Sequence, residues 1–312
     1  MCVHWVMASE SRPQDPDLID RLGNRVAENV AAASDLDGRD PAFIKAIMPR
    51  LDAALRWFDP EVTGFENLPE NGPMLIVGNH SGGVFMPDYW AFLREWVRQR
   101  GAESALHSLG FDLIFSMPGT GQFSRQMGCV PAGHDNAEAL LSRGDAVLVY
   151  PGGDEDDYRP WTERHRIDLR HHEGFVRLAL RTQVPVIPLV SHGSHDSLIV
   201  VFRGDELAHT LGLDRLRIHV LPIVFGPFGL APLPAAGPPL PAKVISRICE
   251  PFDWSHYGPE AADDPEIVHR CYEEMQARMQ ENLDELVALL PHPVRARLSK
   301  AFGFDRLRKA FG

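Results

Sequence analysis

Short apolar runs alternate with amphipathic stretches along most of the chain between residues 62 and 224. The runs have the length of β-strands, and the stretches between them have the apolar spacing of helices. Strands are predicted at 73–79, 104–109, 128–131, 145–150, 184–190 and 216–224, and helices at 87–100, 119–127, 134–143 and 172–182. This alternation is typical of an α/β fold with a mostly parallel central sheet and helices on both faces.

Both ends of the chain are predicted to be helical. Helices near 16–33 and 40–57 precede the first sheet residues, at 62–65. Apolar residues recur at helical spacing from Ile44 to Phe58 and fit a stripe packed on the core; a membrane-facing hairpin is the alternative. The chain then divides into an N-terminal helical segment packed on the core (1–58), an α/β domain (59–255) and a C-terminal helical segment (256–312).

The end of the C-terminal segment is basic and amphipathic. Residues 294–312 carry six cations and one acid, Asp305, in a chain whose net charge is −12. Leucine and phenylalanine residues lie among these cations, as in helices that bind an anionic membrane surface. An ordinary helix packed on the domain would show the same pattern, so both interpretations remain open.

Composition excludes several classes of protein. An acidic chain is poorly suited to bind nucleic acid, which requires neutralisation of phosphates. No apolar run reaches the length of a transmembrane helix, and the N-terminus lacks the features of a signal peptide. The four cysteines show no paired spacing, so we expect reduced thiols, no metal site and a cytoplasmic location.

The segment Asn79-His80-Ser81-Gly82-Gly83 is the most informative stretch. It closes a predicted buried strand, and Pro87 then begins a helix whose first turn carries Asp88. A histidine at a strand end beside a carboxylate can act as a general base, because the carboxylate orients the ring and stabilises the imidazolium. A capping aspartate beside an unrelated surface histidine is the simpler alternative.

Two further blocks follow in order. Tyr150-Pro151-Gly152-Gly153-Asp154-Glu155 ends the strand at 145–150, and Gly174–Ala179 leads into Val184–Pro188. Together with Asn79-His80 and Asp88, this order over residues 60–255 resembles the glycerolipid acyltransferase superfamily, which includes the bacterial lysophosphatidate acyltransferases. The likeness is closer to its monoacylglycerol/diacylglycerol acyltransferase-like branch, whose Pro-Gly-Gly-x-x-Glu motif is one residue shorter here if Glu155 is its match.

The resemblance implies an O-acyltransferase that moves a fatty acyl chain from acyl-CoA or acyl-carrier protein to a hydroxyl of a glycerolipid-like acceptor. It implies no cofactor, with the enzyme peripheral on the inner face of the membrane and no covalent acyl-enzyme. His80 would be the general base and Asp88 its partner. The residues expected to bind substrate are Asn79, Ser81, Gly82, Gly83, Arg125, Pro151, Gly152, Gly153 and Glu155.

The sequence departs from the family pattern in two places. Seven residues separate His80 from Asp88, where the family usually has four, so either the intervening loop bulges or Glu155 or Asp154 orients the histidine instead. We favour the bulge, because Gly82 and Gly83 supply backbone freedom. The second departure concerns the acceptor. Gly133 stands where enzymes acting on glycerol phosphates tend to carry arginine, which favours a neutral hydroxyl unless Arg125 or His134 substitutes.

Other polar clusters are assigned smaller roles. We expect Asp154–Asp157 to form a solvated loop in which Glu155 alone is functional, and residues 192–196 to line the rim of the site. No Gly-x-Ser-x-Gly nucleophile motif is present. A thioesterase or lipid hydrolase using the same histidine is one alternative function, and a non-catalytic lipid-binding protein of the same fold is the other.

Overall fold

The computed structural model describes residues 35–116, 119–213, 220–233 and 235–302, together with Arg21 and Glu28. Most of the predicted helix near 16–33, residues 216–219 of the predicted strand at 216–224 and the basic tail beyond Phe302 lie outside the described residues.

A seven-stranded sheet forms the centre of the molecule. Its strands in chain order are β1 Glu61–Thr63, β2 Met74–Gly78, β3 Leu106–Gly110, β4 Cys129–Pro131, β5 Ala146–Val149, β6 Val186–His192 and β10 Ile245–Ile248. In space they run β1-β10-β6-β2-β5-β3-β4, and every neighbouring pair is parallel except β10 with β6. The predicted mostly parallel sheet is confirmed.

Helices cover both faces of this sheet. They are α1 Pro41–Leu55, α2 Pro87–Arg100, α3 Asp112–Ser116, α4 Thr120–Gln126, α5 His134–Ser142, α6 Gly153–Asp157, α7 Gly174–Thr182, α8 Ser194–Ser197, α9 Asp205–Thr210, α10 Pro265–Leu289 and α11 Pro293–Phe302. The central strand β2 shows why two layers are needed. Leu75 and Val77 pack with α5, α7 and α10, whereas Met74 and Ile76 pack with α1 and α2. A strand buried on both faces reads as a continuous apolar run.

The two flanking helical segments pack on the domain. Ile44 and Leu55 of α1 are buried, which confirms the core-facing stripe. In α11, Arg297 donates hydrogen bonds to the carbonyls of Arg56 and Trp57, and Lys300 pairs with Asp59 at 2.5 Å. The described part of the basic segment is therefore a helix packed on the domain. None of the helices in the described ranges is both long and apolar enough to cross a membrane.

The sequence pattern missed two parts of the fold. Strand β10 was not predicted, although it joins β1 to β6 at one side of the sheet. A second sheet of three antiparallel strands, β7 Ile199–Phe202, β8 Ile223–Gly226 and β9 Gly229–Pro232, was also missed, apart from Ile223 and Val224, which belong to the predicted strand at 216–224. Strands β7, β8 and β9 lie outside the βα alternation from which the other strands were predicted.

Candidate active site

The carboxyl ends of three adjacent strands, β6, β2 and β5, bring the predicted site together. Asn79 follows β2 and locks its end to β6, because its side-chain Nδ2 donates to the Ser191 carbonyl at 3.0 Å and its Oδ1 accepts from the Ser191 N–H at 2.8 Å. Both polar atoms of the Asn79 amide are therefore engaged within the protein. This geometry favours a positioning role for Asn79, with His80 held at the end of the central strand.

The His80 ring lies against Tyr150, which follows β5. The two rings stack with centroids 4.5 Å apart, and only 14% of the His80 side chain is exposed. A glycine is required beneath this stack, since a Cβ at Gly78 would lie 2.4 Å from the Tyr150 ring. The His80 Nδ1 accepts a hydrogen bond from the Ser81 N–H at 3.1 Å. The imidazole is thus fixed by packing on one face and by the backbone at one nitrogen.

Two carboxylates that we had assigned to a solvated loop lie directly beside His80, and that assignment is wrong. Asp156 and Asp157 are buried in the short helix α6. Asp156 Oδ2 accepts a hydrogen bond from the His80 N–H at 2.7 Å. Asp157 Oδ1 accepts one from the Gly83 N–H at 2.7 Å and lies 3.9 Å from His80 Nδ1. Asp157, rather than Glu155 or Asp154, is the acidic side chain closest to the histidine ring in this segment.

The signal for Asp156 was present in the sequence. Counted from Pro151 without a gap, the sixth position of the Pro-Gly-Gly-x-x-Glu motif is Asp156, not Glu155. Asp156 also forms an ion pair with the buried Arg159, whose pKa burial lowers to about 10. Residue 152 must be a glycine for the Asp156 side chain to fit, because a Cβ at position 152 would lie 2.3 Å from the Asp156 Cβ. Through Asp156, the motif therefore holds the backbone N–H of His80 in place.

Asp88 lies in the first turn of α2 and is completely buried. Within the described part of the chain, neither carboxylate oxygen has a hydrogen-bond partner, and no ion pair within 4.0 Å joins Asp88 to His80. Burial raises the pKa of Asp88 to about 7, while the nearby His80 acts to lower this pKa and the negative charge of Asp157 to raise it. Asp88 and Asp157 thus both interact electrostatically with His80.

The loop from Ser81 to Met86 makes the turn that the longer spacing required. Gly82 and Gly83 have φ values of 95° and 59°, and residues Gly83–Phe85 form a single 3₁₀ turn before α2 begins at Pro87. The loop therefore bulges through its glycines, as we expected, yet leaves Asp88 outside hydrogen-bonding distance of His80 in this structure.

Gly82→Ala should destabilise the protein more than Gly72→Ala. Both glycines have a φ of 95°, so alanine costs each about 1–2 kcal/mol of backbone strain. At Gly82 the added Cβ would also lie 2.5 Å from Pro87 Cδ, whereas at Gly72 it would meet nothing within 4 Å. We expect urea unfolding to show an additional loss of about 1–3 kcal/mol for Gly82→Ala. Equal losses in the two variants would contradict the tight packing of the loop.

The remaining predicted residues fall into two groups. Ser81, Gly83, Pro151 and Gly152 lie with His80 around the strand ends, and the Ser81 hydroxyl is buried without a partner among the described residues. Arg125 and Glu155 are engaged elsewhere. The Arg125 guanidinium lies 3.2 Å from Asp35, and Glu155 pairs with Arg170 and, at 3.4 Å, with Arg203. Charge pairing at Glu155, led by its hydrogen bond from Arg170, lowers its pKa.

The segment that we had assigned to the rim is buried instead. Ser194, His195 and Asp196 in α8 are each less than 8% exposed. Ser194 packs against the His80 loop, with its Cβ 3.4 Å from the Cβ position of Gly82. Burial holds the pKa of His195 well below its usual range, and the surrounding cations act in the same direction. Helix α8 therefore packs against the loop that follows His80. His165, His192 and Asp196 nearby could together hold a metal ion.

Several known proteins are similar to this chain in sequence. The model of the family described as Acyltransferase matches residues 59–192. An uncharacterized protein of Mycobacterium tuberculosis is 30% identical over 287 residues, which cover 90% of this chain and 78% of the relative. The chicken (Gallus gallus) "DGAT1/2-independent enzyme synthesizing storage lipids" is 26% identical over 185 residues, covering 59% of this chain and 53% of that protein.

Among solved structures, the 1-acyl-sn-glycerophosphate acyltransferase PlsC of Thermotoga maritima matches with a TM-score of 0.47 and 19% identity, covering 88% of this chain and 96% of that one. The family match includes His80, Asp88 and Gly152, and the mycobacterial similarity extends over almost the whole chain. This protein belongs to the acyltransferase family and is an acyltransferase.

Proposed function

We propose that this enzyme transfers a fatty acyl chain from a thioester donor, acyl-CoA or acyl-carrier protein, to a neutral hydroxyl of a glycerolipid-like acceptor, with His80 as general base. The observation that carries the proposal is the position of His80 at the end of the central strand, fixed by Tyr150 and flanked by the buried carboxylates Asp157 and Asp88. A base must become cationic as it takes the hydroxyl proton, and two nearby carboxylates stabilise that cation.

For Nε2 to accept the proton of the hydroxyl, the single N–H proton of the neutral ring must lie on Nδ1. In this structure Nδ1 accepts from the Ser81 N–H, and Asp157 Oδ1 lies 3.9 Å away. Exchange with solvent, in which Nε2 loses its proton and Nδ1 gains one, gives the tautomer that catalysis needs. A small rotation of the ring then replaces the contact with the Ser81 N–H by a hydrogen bond from Nδ1–H to Asp157 and leaves the Nε2 lone pair for the acceptor hydroxyl. Hydrogen bonds of catalytic groups are often long before substrate binds.

The tetrahedral intermediate carries a negative oxygen that requires N–H donors. The candidate donors are the N–H groups of Gly82 and Gly83 after His80 and of Gly152 and Gly153 after Pro151. Two of the four are already engaged: Gly83 donates to Asp157, and Gly153 donates to the Tyr150 carbonyl at 3.1 Å. Among the described residues, no acceptor is assigned to the N–H groups of Gly82 and Gly152. These two groups are the donors that we assign to the oxyanion.

A neutral acceptor is favoured by the surroundings of the site. Arginine recognises phosphate by a two-pronged contact. Gly133 stands where the glycerol-phosphate enzymes tend to carry that arginine, and Arg125 is paired with Asp35. The test is thiol release from palmitoyl-CoA with mono- or diacylglycerol, compared with lysophosphatidate and with no acceptor. Release that needs a neutral acceptor supports the proposal. Release without any acceptor would instead indicate a thioesterase, and donor binding without turnover a lipid-binding protein.

We further propose that the enzyme binds the membrane surface through the outer face of its three-stranded sheet. Phe225 and Leu230 are directly paired across β8 and β9 and therefore lie on one face, where both are more than half exposed. Phe228 at the β8–β9 turn is 77% exposed. Other exposed apolar residues include Val201 and Phe202 in β7 of the same sheet, together with Val84, Leu207 and Leu211 elsewhere. Large exposed apolar patches mark surfaces that contact membranes or other proteins.

The patch is connected to the active site. Leu198 and Tyr158 pack with Val200 and Val224 against the buried face of the same sheet, and their Cδ2 and Cε1 atoms lie 2.6 Å and 2.9 Å from the Cβ position of Gly83. Val84, which follows Gly83, is 60% exposed. A bilayer in contact with the patch would therefore lie beside the His80 loop, where a lipid acceptor must enter.

Replacing Phe225 and Phe228 with serine should weaken binding to neutral phosphatidylcholine vesicles containing diacylglycerol by about tenfold or more, since two aromatic side chains leave the bilayer interface. Sedimentation of vesicles at low and high salt measures this binding, which should not depend on salt. Leu289→Ser is the matched control, because Leu289 is 70% exposed but lies on α10. Equal losses in the two variants would contradict the assignment of the patch.

A further inference from the structure

Three side chains with metal-binding donors converge behind the active site. His192 is the last residue of β6, Asp196 lies in α8, and His165 follows the turn Trp161–Glu163. One donor atom from each of the three lies within 4.8 Å of the other two. We infer that His165, His192 and Asp196 form a binding site for a divalent transition-metal ion, with Zn²⁺ as the ion that suits two imidazoles and one carboxylate.

A hydrogen bond to the backbone fixes the tautomer of His192 in a form that can bind a metal ion. Its Nε2 lies 2.9 Å from the carbonyl oxygen of Leu290, at the end of α10, and must carry the proton in order to donate to that acceptor. The Nδ1 lone pair is then free to bind a cation. Histidine ligands commonly donate their second N–H to a backbone carbonyl, which fixes both tautomer and ring orientation.

Asp196 supplies a second, independent observation. The residue is 7% exposed, and its Oδ2 is buried with no hydrogen-bond partner in the described part of the chain. A buried carboxylate oxygen without a partner is costly, and a bound cation would remove that cost. The other oxygen, Oδ1, lies 3.4 Å from Arg164 Nε. Arg164 therefore neutralises part of the carboxylate charge and opposes a cation, but it leaves Oδ2 available.

His165 completes the set. Its ring lies 5.3 Å from that of His192, centroid to centroid, at an angle of 66°. A metal ion would bind the neutral form of this ring. Trp161, Arg164 and Asp196 also line a groove of about 860 Å³ that opens towards α11 and gives an ion and a solvent ligand access to the site.

A metal ion here would join two regions that are distant in sequence: the loop after α6, which carries His165, and the turn from the end of β6 into α8, which carries His192 and Asp196. Through its hydrogen bond with the Leu290 carbonyl, His192 also connects the metal site to the end of α10. Three protein ligands leave a fourth position for solvent, because zinc is usually four-coordinate. The site is separate from the acyl transfer chemistry proposed for His80, and its occupancy can be measured without an activity assay.

The experiment is Zn²⁺ and Co²⁺ titration of the full chain, purified without a histidine tag. We expect one ion per chain, a visible Co²⁺ absorption that Zn²⁺ displaces, and a melting temperature that rises with Zn²⁺. His165→Ala should weaken binding by at least about tenfold. It is the first variant to make because His165 is only half-buried, and Asp196→Asn is the second. The control is His256→Ala, which removes an exposed histidine on another loop.

Two results would overturn the inference. One is binding of less than one ion per chain by the folded wild type. The other is binding by folded His165→Ala and Asp196→Asn that equals binding by His256→Ala, which would place the ion elsewhere. Circular dichroism of each variant establishes that it is folded, so a loss of binding cannot be confused with unfolding.

Discussion

His80→Ala should reduce acceptor-dependent thiol release by about 10²–10⁴-fold while leaving the protein folded. The expected loss is large because His80 is the only imidazole on the strand end that carries the family motif, and Ala cannot take the hydroxyl proton. The substitution also removes the ring stacked on Tyr150 at 4.5 Å, so some stability will be lost as well. Measuring the melting temperature beside the rate separates the two effects.

His256→Ala provides the comparison for this experiment, since it deletes an imidazole that is exposed and lies far along the chain from the strand ends. Its rate should match that of the wild type. A folded His80→Ala enzyme that turns over at the wild-type rate would remove His80 from the mechanism, and one that retains donor hydrolysis alone would separate acyl transfer from hydrolysis.

Asp88→Asn should stabilise the protein relative to the wild type as pH rises from about 4 to 8. The buried Asp88 has a pKa of about 7, against 3.8 for an exposed aspartate. At pH below 4 both folded and unfolded states are protonated at this group, and it contributes no penalty. Between pH 4 and 7 only the unfolded state ionises, so the free energy of unfolding falls. Because one pKa unit corresponds to about 1.4 kcal/mol, the full penalty is about 4 kcal/mol.

Urea unfolding at pH 4.5, 6 and 8 measures this effect. The difference between Asp88→Asn and the wild type should grow with pH and level off above pH 7, whereas any cost of burying the Asn amide is independent of pH. Asp263→Asn is the matched control, since the Asp263 side chain is 83% exposed. Parallel pH curves for the wild type and Asp88→Asn would show that Asp88 ionises in the folded state as easily as in the unfolded state.

The sequence was sufficient for the central part of the fold. Strand β2 is a continuous apolar run because it is covered on both faces, and α2, α5 and α7 show helical periodicity that begins close to the predicted residues. Strand β10 was not predicted, and the strand predicted at 216–224 shares only two residues with β8, because the pairing of β10 and β8 depends on residues distant in the chain. Pattern alone could not find them.

Some features of the candidate site could likewise be predicted from the sequence, and others could not. The position of His80 at a strand end and the need for glycines in the loop before Pro87 followed from residue order, because a parallel sheet brings the ends of its strands to one edge. Which carboxylates meet the histidine did not follow. Asp154, Glu155, Asp156 and Asp157 are consecutive acids, and a helical turn points successive side chains in different directions.

Only the tertiary structure determined which of these four acids contact His80. The direction of α6 buries Asp156 under the His80 backbone and Asp157 beside the ring, and turns Glu155 towards Arg170 and Arg203. The meeting of His165 with His192 and Asp196 likewise depends on the packing of two segments that are distant in sequence. The sequence by itself determined the layers, the strand-end histidine and the acyltransferase family, since these depend on local pattern and motif order. The partners of each charge depend on long-range packing, which local pattern does not encode.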